Sequence, residues 1–562
     1  MTSPSKRSLL SANGMAAPLR HAVFRRIWLA SLLSNLGLMI NGVGAAWAMT
    51  QMTSSADMVA LVQTALMLPI MLLSLPAGAI ADMYDRRMVG LAALSLGLAG
   101  SIALSVLAHL GLVSPTSLLL FCFVIGSGMA LFGPAWQASV SEQVPLDTLP
   151  AAVALNGISY NIARSFGPAL GGVIVAAAGA GAAFVCNVVL YVPLLVVLYL
   201  WRRVLEPSRL PPERLQRAVV SGIRYIGHSP SIRVVLIRTL VTGIAGGSVL
   251  ALMPLVARDL LAGGAQTFGI MLGAFGMGGV LGALNVASIR RFLGAEAAVR
   301  YCAITMGLAI VAIAVSHMPA VTSAALVVAG VGWLISITLF NISVQLAVPR
   351  WVAGRALAAY QAAIAGGVAI GSWVWGAVAD IVGVGNALLI AGMVMIASPL
   401  LAIWLKLPSS ESTNHDATDP LADPEVNLSI TPRSGPIIVE IEYRVLQERA
   451  REFYGVMQKV QSSRQRNGAY GWSISRDLAD PELWTERFHC PTWLDYLRQR
   501  NRATLSERAL HASAIAFHIG EEPVKIRRML ERPVGSVRWK DDTPDRAQTD
   551  VVPIPASTGS GV

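Results

Sequence analysis

The chain has 562 residues, 54% of them hydrophobic and only 13% charged, with mean hydropathy +0.59 and a formal net charge of +11. Soluble domains carry about a quarter charged residues, so this composition excludes a disordered chain and a secreted disulfide scaffold. The positive excess does not read as a nucleic-acid surface either, because residues 1–408 hold 23 Lys/Arg against 10 Asp/Glu while residues 409–562 hold 20 against 22. It sits in the apolar part, where cytoplasmic loops of membrane proteins collect basic residues.

Taken in chain order, residues 1–26 lack a continuous apolar run with a small-residue cleavage site and read as a cytosolic segment rather than a signal peptide. A helix needs about 20 apolar residues to cross the hydrocarbon core. Twelve spans are predicted on that basis: 27–49, 58–80, 88–110, 117–140, 150–177, 181–201, 234–256, 267–288, 299–317, 321–345, 354–379 and 385–405. They divide into a six-helix half over 27–201, a basic loop over 202–233 and a second six-helix half over 234–407. The loop carries six arginines between Arg202 and Arg224, and 214–220 reads either as an amphipathic helix at the headgroups or as a plain basic linker. Arg25, Arg26, Arg86, Arg87, Arg290, Arg291 and Arg350 fall in the same set of alternate loops, whereas Arg258 is the one clear basic residue of the other set. That asymmetry predicts a multi-pass protein of the cytoplasmic membrane with both termini inside.

The two halves repeat. At an offset of 204 residues Gly78, Arg86 and Arg87 map to Gly282, Arg290 and Arg291, Val144-Pro145 maps to Val348-Pro349, and Gly167 and Gly172 map to Gly371 and Gly376. Parallel six-helix repeats belong to transporters whose halves rock about a site near the bilayer midplane.

Beyond the spans, 408–436 is rich in Ser, Asp, Thr and Pro and reads as a linker. Residues 437–533 read as a small cytosolic α+β domain, with strands at 437–443, 470–476, 483–489 and 516–520 and helices at 448–464, 494–501 and 505–514. A four-stranded sheet with helices on one face leaves the other open, and Val439, Ile441, Trp472, Ile474 and Phe488 are the apolar candidates for it; such a face predicts a homodimer through this domain. The polar stretch 534–562 reads as disordered. The cysteines Cys122, Cys186, Cys302 and Cys490 show no ligand spacing, and His489, His511 and His518 show no metal or triad spacing. No metal, no cofactor and no enzymatic site is expected, and the absence of a Gly-x-x-x-x-Gly-Lys-Ser/Thr run argues against direct ATP drive.

Two motifs carry more. The loop after the second span reads Gly78-Ala-Ile-Ala-Asp82-Met-Tyr-Asp85-Arg86-Arg87, and the fifth span holds Ala163-Arg164-Ser-Phe-Gly167-Pro168-Ala-Leu-Gly171-Gly172. The first resembles the loop signature of the major facilitator superfamily, with Met83 and Asp85 departing from the usual basic residue and glycine. The second is similar to the antiporter motif of its exporters, with Ala163 in place of a glycine; a kinked, closely packed helix accounts for it equally. Phe24-Arg25-Arg26-Ile27-Trp28, Pro76-Ala77-Gly78, Gly133-Pro134-Ala135 and Leu155-Asn156 extend the likeness to the enterobactin-exporter-like, transmembrane secretion effector branch over about residues 20–405. The tail resembles the small dimeric α/β-barrel, or ferredoxin-like, extension of some members. The resemblance implies an all-α membrane fold of twelve helices and export of a siderophore, drug or metabolite, with the proton gradient as the driving force. Its rivals are a transporter-like sensor signalling through the tail and a transporter fused to a cargo-modifying enzyme.

No Asp or Glu lies in the middle of a span: Asp57, Glu142, Asp259 and Asp380 fall near ends. The substrate or coupling candidates are therefore Asn35 and Asn41 in the first span, Arg164 at the start of the fifth, and Asn341 and Gln345, one helical turn apart, in the tenth. Arg164 can bind an anionic group, pair with Glu142 or snorkel to the interface; the amides can line a cavity or bond between helices.

Overall fold

The computed structural model describes residues 16–145, 148–201, 215–349, 352–408, 424, 426–428, 430–501 and 504–531. The chain divides into two compact units. One comprises Met1–Val219, Ser231–Gln345 and Gly354–Pro408; the other comprises Val220–Pro230, Leu346–Ala353 and Ser409–Val562.

The first unit is built of long apolar helices, and ten of those among the described residues are long and apolar enough to cross a membrane. They are α1 (Ala22–Met52), α2 (Ala56–Met83), α3 (Arg86–His109), α4 (Pro115–Ser139), α5 (Leu149–Leu200), α7 (Pro230–Leu255), α8 (Ala265–Val315), α9 (Pro319–Leu346), α10 (Ala353–Val382) and α11 (Val384–Ala397, continued as a tighter helix to Ile403), with α6 (Leu215–Gly227) between the halves. Short polar residues start α2, α3 and α4. The Ser55 and Asp85 side chains accept from the backbone N–H of Met58 and Arg87, and Ser114 and Ser117 form a capping box on α4.

Two of the ten are exceptional in length. The 52 residues of α5 would make about 78 Å of continuous helix, more than twice the hydrocarbon thickness. Inside α5, Gly179 takes φ 80° and ψ 171°, and inside α8 Gly294 takes φ 73° and ψ 168°. No L side chain adopts that conformation cheaply, so each glycine interrupts its helix at the place where the sequence predicts a turn between two spans.

The 204-residue repeat has a structural counterpart. A Cβ on Gly167 of α5 would lie 2.6 Å from Met39 of α1, and one on Gly371 of α10 would strike the backbone of Ile244 in α7. A Cβ on Gly172 would lie 2.7 Å from Gly269 Cα in α8, and one on Gly376 would lie 2.6 Å from Ala60 Cβ in α2. Each pair of repeat-related glycines thus meets a repeat-related partner. The Val-Pro match corresponds to the same turn twice, Thr148 N–H to Pro145 O and Val352 N–H to Pro349 O, both 3.1 Å.

In the second unit, β1 (Ile437–Arg444), α12 (Ala450–Arg466), β2 (Tyr470–Arg476), β3 (Leu483–Cys490), α13 (Trp493–Asn501), α14 (Leu505–Ile515) and β4 (Lys525–Leu530) form an antiparallel sheet of order β2-β3-β1-β4 with its helices. The last strand is at 525–530 and not at 516–520. Residues 516–520 follow α14 in tight turns, with Phe517 N–H on Ala514 O and His518 N–H on Ile515 O. In β4 the middle inward position is Arg528, whose guanidinium donates to the Tyr496 hydroxyl at 2.6 Å, and this charge hides the strand's alternation. The end of the linker is also tied down, since Ser434 O and Pro432 O accept from the first N–H groups of α13, those of Trp493 and Leu494.

Val439, Ile441 and Phe488 are buried in one core with Phe453, Met457 and Val460 of α12, and Trp472 and Ile474 pack against it. They face the helices, so the sheet's open face is not the apolar one expected. That face carries an apolar and aromatic row across all four strands, Tyr470, His489, Ile438 and Met529, followed by charged rows in which Arg487 pairs with Glu440 at 3.8 Å and Arg527 with Glu442 at 3.0 Å. The same unit includes the end of α6. Tyr225 is 3% exposed, and Arg224 Nη1 donates to Gly468 O at 3.2 Å. Residues 202–214 and 532–562, which include the start of the basic loop and the stretch read as disordered, lie outside the described residues.

Candidate functional site: the seam between the two halves

Asp85, Arg86 and Arg87 of the loop after α2 act within the first half. Asp85 caps α3 by accepting from Arg87 N–H at 2.8 Å. Arg86 donates to Glu142 Oε1 and to Ala138 O, both at 2.8 Å, tying α3 to the end of α4. Arg87 donates to Leu198 O at 3.0 Å and Tyr199 O at 2.5 Å, tying α3 to the end of α5. Gly78 makes an ordinary contact, since a Cβ there would stand 3.8 Å from Ala358 of α10. The side chain of Asp82 lies outside the described part.

In the second half the corresponding lock uses other residues. Arg238 of α7 is 4% exposed and donates to Glu296 Oε2 at 2.7 Å and Leu405 O at 3.3 Å. Glu296 accepts further from Arg300 Nε and Leu407 N–H, both at 2.9 Å.

Between the halves α5 packs closely on α8 from mid-span, where Gly276 meets the Arg164 backbone, to the arginine-poor end. Gly172 meets Gly269 there, Gly171 lies against Ile40 and Val43 of α1, and the backbone of Pro168 reaches Gly269. Ala163 is fully buried beside them. The motif of α5 is therefore a close-packed seam against α1 and α8. On the opposite side Thr64 Oγ1 of α2 donates to Ala369 O of α10 at 2.9 Å. Farther along the same contact, the Asp380 carboxylate accepts from Ser55 Oγ (2.8 Å), Ala56 N–H (2.5 Å) and Asp57 N–H (3.1 Å), so an acid of one half caps a helix N-terminus of the other. Arg258 adds a third tie, donating to Thr50 O at 2.9 Å and Thr53 O at 3.3 Å at the end of α1. Asp380 stood out in the sequence only by its position near a span end, and Arg258 only as the one clear basic residue of the arginine-poor loops.

The candidate polar residues do not converge on one point. Gln345 Nε2 donates to Asn341 Oδ1 at 2.6 Å, so the two amides of α9 bond each other. Asn41 is fully buried in α1 with both amide atoms unpartnered, whereas Asn35 is half-buried. Arg164 is not at the start of its helix. It is sixteenth in α5, about 22 Å along it, midway between Leu149 and Gly179. It does not pair with Glu142, which Arg86 holds; its guanidinium lies 5.5 Å from the centroid of the Phe275 ring of α8.

These features agree with what the chain is similar to. Residues 13–534 match the family described as transmembrane secretion effector. The multidrug efflux pump Tap of Mycolicibacterium fortuitum is 26% identical over 395 residues, covering 67% of this chain and 94% of the pump. The enterobactin exporter EntS of Salmonella choleraesuis is 25% identical over 411 residues, covering 72% of this chain and 96% of that one. Among solved structures, a D-xylose–proton symporter superposes with a TM-score of 0.55 at 14% identity, over 69% of this chain and 99% of its own, a likeness of fold. The chain belongs to the transmembrane secretion effector family of the major facilitator transporters.

Proposed function

We propose that the chain crosses the cytoplasmic membrane twelve times with both termini inside, and exports a small amphipathic molecule of the siderophore, drug or metabolite class by alternating access driven by the proton gradient. The count of twelve treats Gly179 and Gly294 as turns between two crossings each, and the orientation follows the arginine-rich loops. One observation carries the reading: the two halves are clasped at the arginine-poor end by Asp380, Arg258 and the Gly172–Gly269 contact, while at the arginine-rich end the inner face of α5 is uncovered at Val153 and Gly157. That is the form of a carrier open to the cytoplasm. The export direction rests on the relatives, an efflux pump and an exporter.

With no carboxylate at mid-span, the acids placed to couple protons are Asp380 and its neighbour Asp57, whose Oδ1 is buried without a hydrogen-bond partner. The tail, whose βαββααβ order is a βαββαβ pattern with its second helix split in two, is read as a ferredoxin-like domain that pairs with a second copy through the row Tyr470, His489, Ile438 and Met529. The test is accumulation of a panel of siderophores, drugs and dyes in cells with and without the protein, before and after a protonophore. Lower accumulation of at least one compound, abolished by the protonophore, is expected. Equal accumulation across the panel at verified expression would refute export.

A further inference from the structure

We infer that Arg164 is the recognition point for an anionic group on the transported molecule, so that the cargo class is amphipathic anions. The inference rests on the export reading above and names the chemistry of its cargo.

The orientation of Arg164 comes from the helix itself. Phe166, Leu170 and Val173 are 55%, 50% and 52% exposed and form the outer, apolar stripe of α5. At about 100° per residue, Arg164 points about 150° away from the centre of that stripe, into the molecule rather than toward lipid. Its own face continues toward the arginine-rich end through Gly157 and Val153, seven and eleven residues earlier. Val153 is 57% exposed, and a Cβ on Gly157 would meet nothing within 4 Å. An open path on the inner face therefore leads from the arginine-rich end up to Arg164, where the seam closes at Gly167, Gly171 and Gly172.

The guanidinium is held but not satisfied. The Arg164 backbone abuts Gly276 of α8, while its Cζ stands 3.9 Å from where a Cβ on Gly279 would be. The side chain thus runs one turn toward the arginine-rich end, as helical side chains do. Phe275 supports the guanidinium from the other half. Among the described residues no carboxylate pairs with it and no hydrogen bond uses its five N–H donors. A cation at mid-span without a counter-ion is costly. The fold does not require that cost: the residue 204 positions on is Val368, and Phe275 corresponds to Met71, so the repeat-related positions are apolar. The charge is specific to one side of the molecule, inward-facing and reachable. A carboxylate- or phosphate-bearing ligand would supply the missing partner in a bidentate pair.

Binding to the full-length protein in nanodiscs tests this, using two xanthene dyes of similar size and opposite charge, carboxyfluorescein and rhodamine 6G, read by fluorescence anisotropy. Wild type should bind carboxyfluorescein, Arg164→Gln should weaken that binding about tenfold or more, and Arg164→Lys should lose less. Rhodamine 6G binding should be unchanged or stronger in Arg164→Gln. Equal carboxyfluorescein binding by wild type and Arg164→Gln would overturn the inference, as would parallel loss of both dyes or no carboxyfluorescein binding by wild type. Because binding is read without transport, failure of this inference is separable from failure of the export reading, which the cell accumulation panel tests.

Discussion

Asp380 accepts a 2.8 Å hydrogen bond from Ser55, a residue 325 positions earlier and in the opposite half of the membrane unit. With the N–H groups of Ala56 and Asp57 on the same carboxylate, one side chain joins the start of α2 to the end of α10. Hydrogen bonds to a charged group contribute about 1.5–3 kcal/mol each when well shielded, and less where water reaches them, as it does here. Arg258 makes a separate tie to α1, so the clasp has two independent parts.

Asp380→Ala is therefore expected to shift the resting protein away from the form closed at this end. Spin-label distances across the arginine-poor ends of α2 and α10 should broaden to longer values, and export should fall several-fold while the amount in the membrane stays normal. Combining Asp380→Ala with Arg258→Ala should give additive shifts, because the two ties share no partner. Unchanged distances in the double variant would remove the clasp from the mechanism.

Glu296 is the hub of the second half, accepting from Arg238, Arg300 and the Leu407 N–H. Arg238 has a side chain only 5% exposed, so losing its partner strands a buried charge. Glu296→Gln should lower stability by about 2–3 kcal/mol, seen as a lower melting temperature of the solubilised protein. The Arg300→Gln variant should cost well under half of that, since its pair is an exposed i,i+4 one with the Arg300 side chain 42% exposed. Equal shifts for the two variants would contradict this assignment.

The helical spans and the repeat glycines were legible in the sequence because both are local: a run of apolar residues, or a small residue at a fixed offset, says what the backbone can do there. The turns at Gly179 and Gly294 were placed for the same reason. The ties were not legible. Asp380 and Ser55, or Arg238 and Glu296, are brought together only by tertiary packing, and the repeat does not carry them: Arg238 corresponds to Ser34 and Asp380 to Ala176. In the tail, three strands announced themselves by alternation. The fourth did not, because Arg528 occupies an inward position, where its guanidinium donates to the Tyr496 hydroxyl. The open face was misassigned for a related reason, since alternation says which residues share a side but not which side the helices cover.

Arg224 and Tyr225 join the tail's own unit. They lie at the end of α6, in the segment that joins the two halves, and belong to the same compact unit as the tail domain. Burial, with Glu507 close by, pushes the Tyr225 hydroxyl pKa upward, so it stays protonated throughout the working range. Ending the chain after Pro408 should uncover Tyr225 and lower export, and Tyr225→Ala in the full chain should lower it by a similar factor. Applying both changes should give no further loss, because they remove the same contact. Full activity of the truncated chain would mean that the tail is not coupled to transport.

His511 is expected to contribute to the acid limit of the tail. Burial first, and then the nearby charges of Arg464 and Arg466, push its pKa down to about 3, from about 6.5 in an unfolded chain. Its Nε2 is buried with no hydrogen-bond partner, so protonation would place a positive charge beside two others with nothing to receive it. The sign of the effect follows from proton counting. Between pH 6.5 and about 3 the unfolded chain holds a proton at this residue and the folded one does not, so stability is full above 6.5 and declines as pH falls through the window. The slope attributable to this one group is at most about 1.4 kcal/mol per pH unit. Histidine 511 replaced by an uncharged isostere, His511→Gln, should flatten the pH dependence of tail unfolding between pH 6 and 4, followed in the full-length protein by the fluorescence of Trp472, Trp484 and Trp493 against the background of the other tryptophans replaced by phenylalanine. The other titrating groups are common to both proteins and cancel in the difference. An identical pH profile for the variant would show that His511 is not the group that limits the domain in acid.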